Sequence, residues 1–247
     1  MRFSNVAPQK IRWFGALVDL ASPATVQRKQ KFRLVLQCAR LNRFGSTWLS
    51  TAGGALGFYQ HCSAAYKRSS LSHMQITHAS PEDARVVAQI HVDSWREAYK
   101  AILPAEYLAS LSVEKRQTWW EKCIADGKPE LLVAKSNGIV HGWINFSASR
   151  DEDATPTDGE IWAIYVSPAS WSSGTGRRLW SHASERMRSQ GFQSCSLWVF
   201  PQNTRAIRFY EAAGFALDTI APKSFQLAGL DLQEVRYVCR LNAETLS

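Results

Sequence analysis

The chain has 247 residues and a mass of 27.7 kDa, with 45% hydrophobic and 20% charged residues. That is ordinary globular composition, which excludes a disordered or fibrous protein, and no uninterrupted apolar run of about 18 residues offers a spanning helix. The formal charge of +8 is lopsided: residues 1–73 carry 11 basic residues and one acid, leaving 18 basic and 20 acidic residues for 74–247.

Two segments are therefore expected. Residues 1–73 form a basic, low-order extension with no sustained period, either a targeting segment or an over-long start that precedes Met74. Residues 74–247 form the working domain. Five cysteines stand singly at 38, 62, 123, 195 and 239. Single cysteines argue against a disulfide scaffold or a thiolate zinc site, and point to a reducing, cytoplasmic setting. No histidine has metal-ligand spacing, so no metal is expected.

From Met74 the signals become regular. Gln75 to His78 reads as a first strand. Ser80 as N-cap, Pro81 at the first helical position and the acids Glu82 and Asp83 open a helix to about Tyr99. Pro104 starts a short helical turn. Ser112 caps a helix to about Ala125, which Gly127 and Pro129 end. Glu130 to Ser136 and Ile139 to Ser147 form strands around Asn137-Gly138, a two-residue hairpin signal. An acidic loop with Asp151, Glu152, Asp153 and Asp158 is expected at the surface.

Glu160 to Val166 reads as a buried central strand closed by Pro168. Gly174 and Gly176 open a helix to about Gln190. Gln193 to Phe200 is a strand, Asn203 caps the helix 204–213, and Phe215 to Ile220 and Glu234 to Arg240 give the last two strands. A glycine loop before a helix has a physical use. The first N–H groups of the helix lack acceptors, and the dipole adds partial positive charge there, which suits a pyrophosphate. The loop is not a P-loop, because no Gly-Lys-Ser/Thr follows, and Leu179 breaks the dinucleotide fingerprint.

The block comprising the strand 160–166, the loop from Trp171 to Arg177, the strand 196–200 and the helix from Asn203 through Tyr210 to Gly214 resembles the GNAT superfamily of acetyl-coenzyme A-dependent N-acyltransferases. The stretches from Ser94 to Tyr99 and from Leu103 to Leu108 resemble the first helices of one GNAT branch, so the likeness extends over about 74–247. It implies an α/β fold: a mixed, mostly antiparallel twisted sheet of about seven strands with helices on both faces. The strands 160–166 and 193–200 should splay to leave a slot for acetyl-CoA, the co-substrate.

The resemblance also implies roles. Main-chain groups of Ile164, Tyr165 and Val166 should bond the pantetheine arm. Ser172, Ser173, Gly174, Thr175, Gly176 and Arg177 should cradle the pyrophosphate, and Asn203 should bond the arm. Tyr210, two helical turns after Asn203, should protonate the departing thiolate. Glu160 is the expected base for the attacking amine. Trp95, Tyr99, Trp143 and Trp162 are candidates for an aromatic acceptor wall. The family's phosphate loop usually begins with Gln or Arg, and Trp171 stands there instead.

The expected activity is transfer of an acetyl group to a primary amine of a small molecule or peptide, by direct attack. The alternatives are an inactive coenzyme A-binding module, or nucleic-acid binding through residues 1–73. A homodimer is an expectation from families of this kind; a membrane is not an expected partner.

Overall fold

The computed structural model describes residues 74–241; the expectations for residues 1–73 lie outside them. Strand β1 (Gln75–His78) leads through a one-turn 3-10 helix, Pro81–Asp83, into α1 (Ala84–Ala98). The N–H and Oγ of Ser80 both donate to the Asp83 carboxylate, at 2.8 and 3.0 Å, which tightens the turn. Helix α2 (Ala105–Ser110) and helix α3 (Val113–Asp126) follow. Ser112 Oγ accepts the Lys115 N–H at 3.1 Å, and Gly127, at φ 64°, ends α3 in the left-handed conformation that glycine adopts without strain.

The hairpin of β2 (Glu130–Ser136) and β3 (Ile139–Ala148) turns at Asn137 and Gly138, both at positive φ. Then come β4 (Asp158–Val166), α4 (Thr175–Ser189), β5 (Ser194–Val199), α5 (Thr204–Ala212), the two-residue β6 (Ala216–Leu217), β7 (Lys223–Leu227) and β8 (Leu230–Arg240). The sheet runs β1-β2-β3-β4-β5-β8-β6, with β7 paired to β8. Every pairing is antiparallel except β4 with β5.

The sheet has eight strands rather than seven, and the difference lies near the C-terminus. The strand expected over 215–220 shrinks to two residues, and a hairpin over 223–240 takes its place. Its turn is Ala228-Gly229, both at positive φ. Ala-Gly is not among the strong turn signals, because a non-glycine residue rarely adopts positive φ. The alternation of Phe225, Leu227, Leu230 and Leu232 is the pattern that could have revealed the strands.

Two cores sit on the two faces of the sheet. One packs Leu179, Ala183 and Met187 of α4 and Tyr210 of α5 against Leu132, Ile144, Phe146, Ile161, Leu197 and Tyr237. The other packs Val87, Ala88 and Ile90 of α1 and Trp120 of α3 against Leu131, Val133 and Trp143. Burying an aliphatic side chain of this size contributes roughly 1.5–3 kcal/mol, so both layers hold the sheet firmly.

Candidate active site

The site begins where a ladder stops. β4 and β5 pair over only three residues, Asp158 with Ser194, Gly159 with Cys195 and Glu160 with Ser196, and no pairing continues from Ile161 to Val166. The expected splay is therefore present. A bulge sits at the parting: Ile161 and Ala163 oppose the adjacent residues Phe146 and Asn145, so Trp162 is the extra residue.

Beyond the bulge, main-chain directions are set by the β3 ladder. Ser167 N–H donates to His141 carbonyl at 2.8 Å. Hydrogen-bonded pairs alternate in an antiparallel ladder, so Tyr165 also bonds β3. The main-chain groups of Ile164 and Val166 then turn away from β3, toward the gap. This corrects one expectation: the Tyr165 main chain is spent on β3, and its side chain packs toward α1, stacked on His91 at 5.0 Å. The Val166 carbonyl already accepts from Ser94 Oγ at 3.2 Å and from Trp171 Nε1 at 2.8 Å. Gly142 lies against this end of β4. A Cβ on it would meet the Tyr165 carbonyl at 2.8 Å, so the close approach needs glycine.

The loop from Ser172 to Arg177 enters α4. Gly174 has φ 84°, and the Ser173 hydroxyl is used internally, on the Ser170 carbonyl at 2.6 Å and on Thr175 Oγ1 at 2.8 Å. Among the described residues, none of the six main-chain N–H groups from Ser172 to Arg177 has an acceptor in the protein. Six consecutive free donors at a helix start make an anion cradle, and a coenzyme A pyrophosphate fits that donor set. Trp171 does not point at this cradle. Its indole N–H is spent on Val166, and its ring lies 4.2 Å under the Arg205 guanidinium. Arg205 also donates to Ser172 Oγ at 3.2 Å. The basic group that the loop lacks thus arrives from α5, a placement the sequence reading missed.

Asn203 caps α5, its Oδ1 accepting the Ala206 N–H at 3.2 Å. Tyr210, on the same helix, is buried beside Phe209 and Phe215. Burial first, and then the neighbours Tyr165 and Glu234, push its hydroxyl above the ordinary tyrosine range, so it stays protonated at neutral pH.

On the other face, aromatic rings crowd the gap. Trp95 Nε1 donates to Tyr165 Oη at 2.7 Å. Tyr99 meets Trp95 edge-on at 5.1 Å and Phe200 at 5.2 Å, and Phe225 of β7 lies 6.1 Å from Phe200. Trp162 lies under Arg150 at 4.1 Å. Trp95 and Trp143 are both buried, and Trp143 lies deeper. It is fully buried, donates to the Val87 carbonyl at 3.1 Å and belongs to the core, because α1 and α3 close over it. Arg116, half-buried over Trp95 at 5.2 Å, has no acidic partner among the described residues. Burial lowers its pKa.

The carboxylates divide. Glu160 is buried, and Arg150 holds it through its guanidinium and through its main-chain N–H at 3.0 Å. Asp151, expected at the surface, is instead nearly enclosed. It binds Lys223 at 2.5 Å, Arg236 at 3.1 Å and Trp198 Nε1 at 3.1 Å. Arg236 also takes Asp153 and Asp218. Asp151 and Asp153 of the acidic loop are therefore neutralised from within. Glu234 of β8, which the sequence reading placed in a strand without a role, faces the same region.

Residues 90–215 match the model of the acetyltransferase (GNAT) family. The chain is 35% identical over 161 residues to the uncharacterized N-acetyltransferase YuaI of Bacillus subtilis, covering 65% of this chain and 89% of that one. It is 25% identical over 150 residues to the L-amino acid N-acyltransferase MnaT of Escherichia coli, covering 61% and 84%. The PaiA N-acetyltransferase of Thermoplasma acidophilum, solved with coenzyme A, superposes with a TM-score of 0.56 at 22% identity, over 68% of this chain and 98% of that one. The chain belongs to the GNAT family and is an acetyltransferase.

Proposed function

We propose that the protein N-acetylates a small-molecule primary amine, with amino acids the leading class, by direct attack on the acetyl-CoA thioester. The observation that carries this reading is the open end of the β4–β5 pair, with the buried, protonated Tyr210 beside it. Ile164 and Val166 offer main-chain bonds to the pantetheine arm, and the 172–177 loop with Arg205 takes the phosphates. The Asn203 side-chain N–H₂ remains for the arm while its oxygen caps α5. Tyr210 protonates the coenzyme A thiolate as the C–S bond breaks.

Trp95, Tyr99 and Trp162, with Phe200 and Phe225, wall the acceptor. Two features favour an amino acid. Arg116 is a desolvated cation without an acidic partner among the described residues, ready for a carboxylate. One relative is named for L-amino acid acylation. Glu160, the expected base, reads better as the anchor of Arg150, since its carboxylate is already engaged. The working compartment is the cytoplasm, and the working form a homodimer. No helix among the described residues is long and apolar enough to cross a membrane.

The test is release of free thiol from acetyl-CoA by the full chain against a panel of L-amino acids, polyamines and aminoglycosides. Turnover with amino acids and a raised KM for them in Arg116→Met are expected. Polyamine turnover that ignores Arg116 would overturn the assignment of the acceptor.

A further inference from the structure

The buried or half-buried acids of the described residues have partners, with one exception. Asp83 pairs with Lys135, Asp151 with Lys223 and Arg236, and Glu160 with Arg150; Asp158 bonds Ser194 and Thr155. Glu234 is half-buried, yet no hydrogen bond or ion pair to another described residue reaches its carboxylate. The nearest candidate, Lys223, lies directly opposite in the β7–β8 ladder but spends its ammonium on Asp151. A half-buried carboxylate with no protein donor keeps its lone pairs for water or for a ligand.

Its position is specific. β5 and β8 pair up to Val199 with Val235, so Glu234 stands one step past the last pair, level with the open end of β5. Val235, Tyr237 and Cys239 pack into the core that contains Tyr210, so Glu234, on the alternate face, approaches the gap from the side opposite Tyr210. The groups facing it come from every neighbouring element. They are Lys223 on β7, Glu160 on β4 and Arg150 on the loop before it, with the hydroxyls of Tyr99, Tyr165 and Tyr210 within electrostatic reach.

From this geometry we infer that Glu234 receives the ammonium of the acceptor and takes its proton before attack. The inference rests on the acetyltransfer reading. The nitrogen of an ammonium loses two protons on becoming an amide. The first passes to Glu234 and then to solvent. The neutral amine forms the C–N bond at the thioester carbonyl, and the C–S bond breaks as Tyr210 gives its proton to the thiolate. The second proton leaves nitrogen on collapse and, through solvent, restores Tyr210. Burial, augmented by Glu160 and opposed by Lys223, raises the Glu234 pKa to about 7, a useful value for a base at neutral pH.

The experiment compares full-length wild type and Glu234→Gln, using acetyl-CoA and the best L-amino acid of the panel. In wild type, kcat/KM should rise with pH through an apparent pKa near 7. In Glu234→Gln that limb should vanish and kcat/KM at pH 7 fall about 10²–10⁴-fold. Rate should return at pH 9.5–10, where the amine deprotonates unaided, with the acetyl-CoA Kd by calorimetry unchanged. An unaltered limb and rate would overturn the role of Glu234 while leaving acetyl transfer intact. Wild type that neither binds acetyl-CoA nor releases thiol would instead sink the underlying reading, and this role with it. A lower rate with an unchanged limb and weakened acetyl-CoA binding would mean a structural role, and also overturns the inference. Carbon-13 titration of the wild-type Glu234 carboxyl gives a check independent of the variant: a midpoint near 7 supports the role, and one below 5 removes it.

Discussion

The two ends of the β4–β5 pair belong to the same two strands and behave oppositely. At the closed end the parallel ladder runs through Asp158, Gly159 and Glu160, and the polar groups there are engaged: Asp158 by Ser194 and Thr155, and Glu160 by Arg150. At the open end, six residues on, the ladder is gone. The carboxylate that faces the gap, Glu234, has no such partner among the described residues, and the tyrosine hydroxyls are held in their neutral form. The contrast teaches that the strands part because satisfaction is withdrawn on one side of a bulge, leaving donors and acceptors for a ligand to complete.

Changes at each end test that contrast. Tyr210→Phe removes the hydroxyl proposed to protonate the thiolate, and little volume. Turnover should fall about 10²–10⁴-fold, roughly 3–5 kcal/mol of barrier, while acetyl-CoA binding by calorimetry stays near wild type. Arg150→Ala strips the closed end of its cation and strands Glu160 in a buried site. Denaturant unfolding should show a loss of about 3–5 kcal/mol, and a small loss would mean that the closed end is not held by that pair.

Arg205→Ala should raise the KM for acetyl-CoA about tenfold, worth roughly 1.4 kcal/mol, with kcat little changed, if the guanidinium seated on Trp171 serves the phosphates. The smallest effect concerns pH. The folded-state pKa of Glu234 lies above its unfolded value, so the folded chain binds more protons between pH 4.5 and 7. The resulting stability is fully present below 4.5 and lost as pH rises through 7. Relative to Glu234→Gln, wild type should lose about 1 kcal/mol or less between pH 5 and pH 8, the value being reduced by solvent screening at a half-buried site.

Much of this was legible in the chain. Ser112, Gly127 and Asn203 bound their helices as read, and Asn137-Gly138 turned its hairpin, because caps and turns are decided by residues within a few positions of one another. The glycine loop before α4 was legible for the same reason. What was not legible was long-range. Arg205 reaches the loop from a helix thirty-three residues away, and Lys223 reaches Asp151 across seventy-two. Trp143 and Trp162 look alike in sequence, yet one lies beneath two helices and the other on a bulge. Glu160 and Glu234 are both strand acids, and only the approach of Arg150 separates them.

By itself, then, the amino-acid order determined the elements as far as α5, the glycine loop before α4 and the asparagine and tyrosine of the last helix, since local conformational preference and helical spacing act over a few residues. Tertiary structure alone decided which acid is neutralised and which has no partner among the described residues, because the free energy of a buried charge depends on what the rest of the fold brings to within a few ångströms of it.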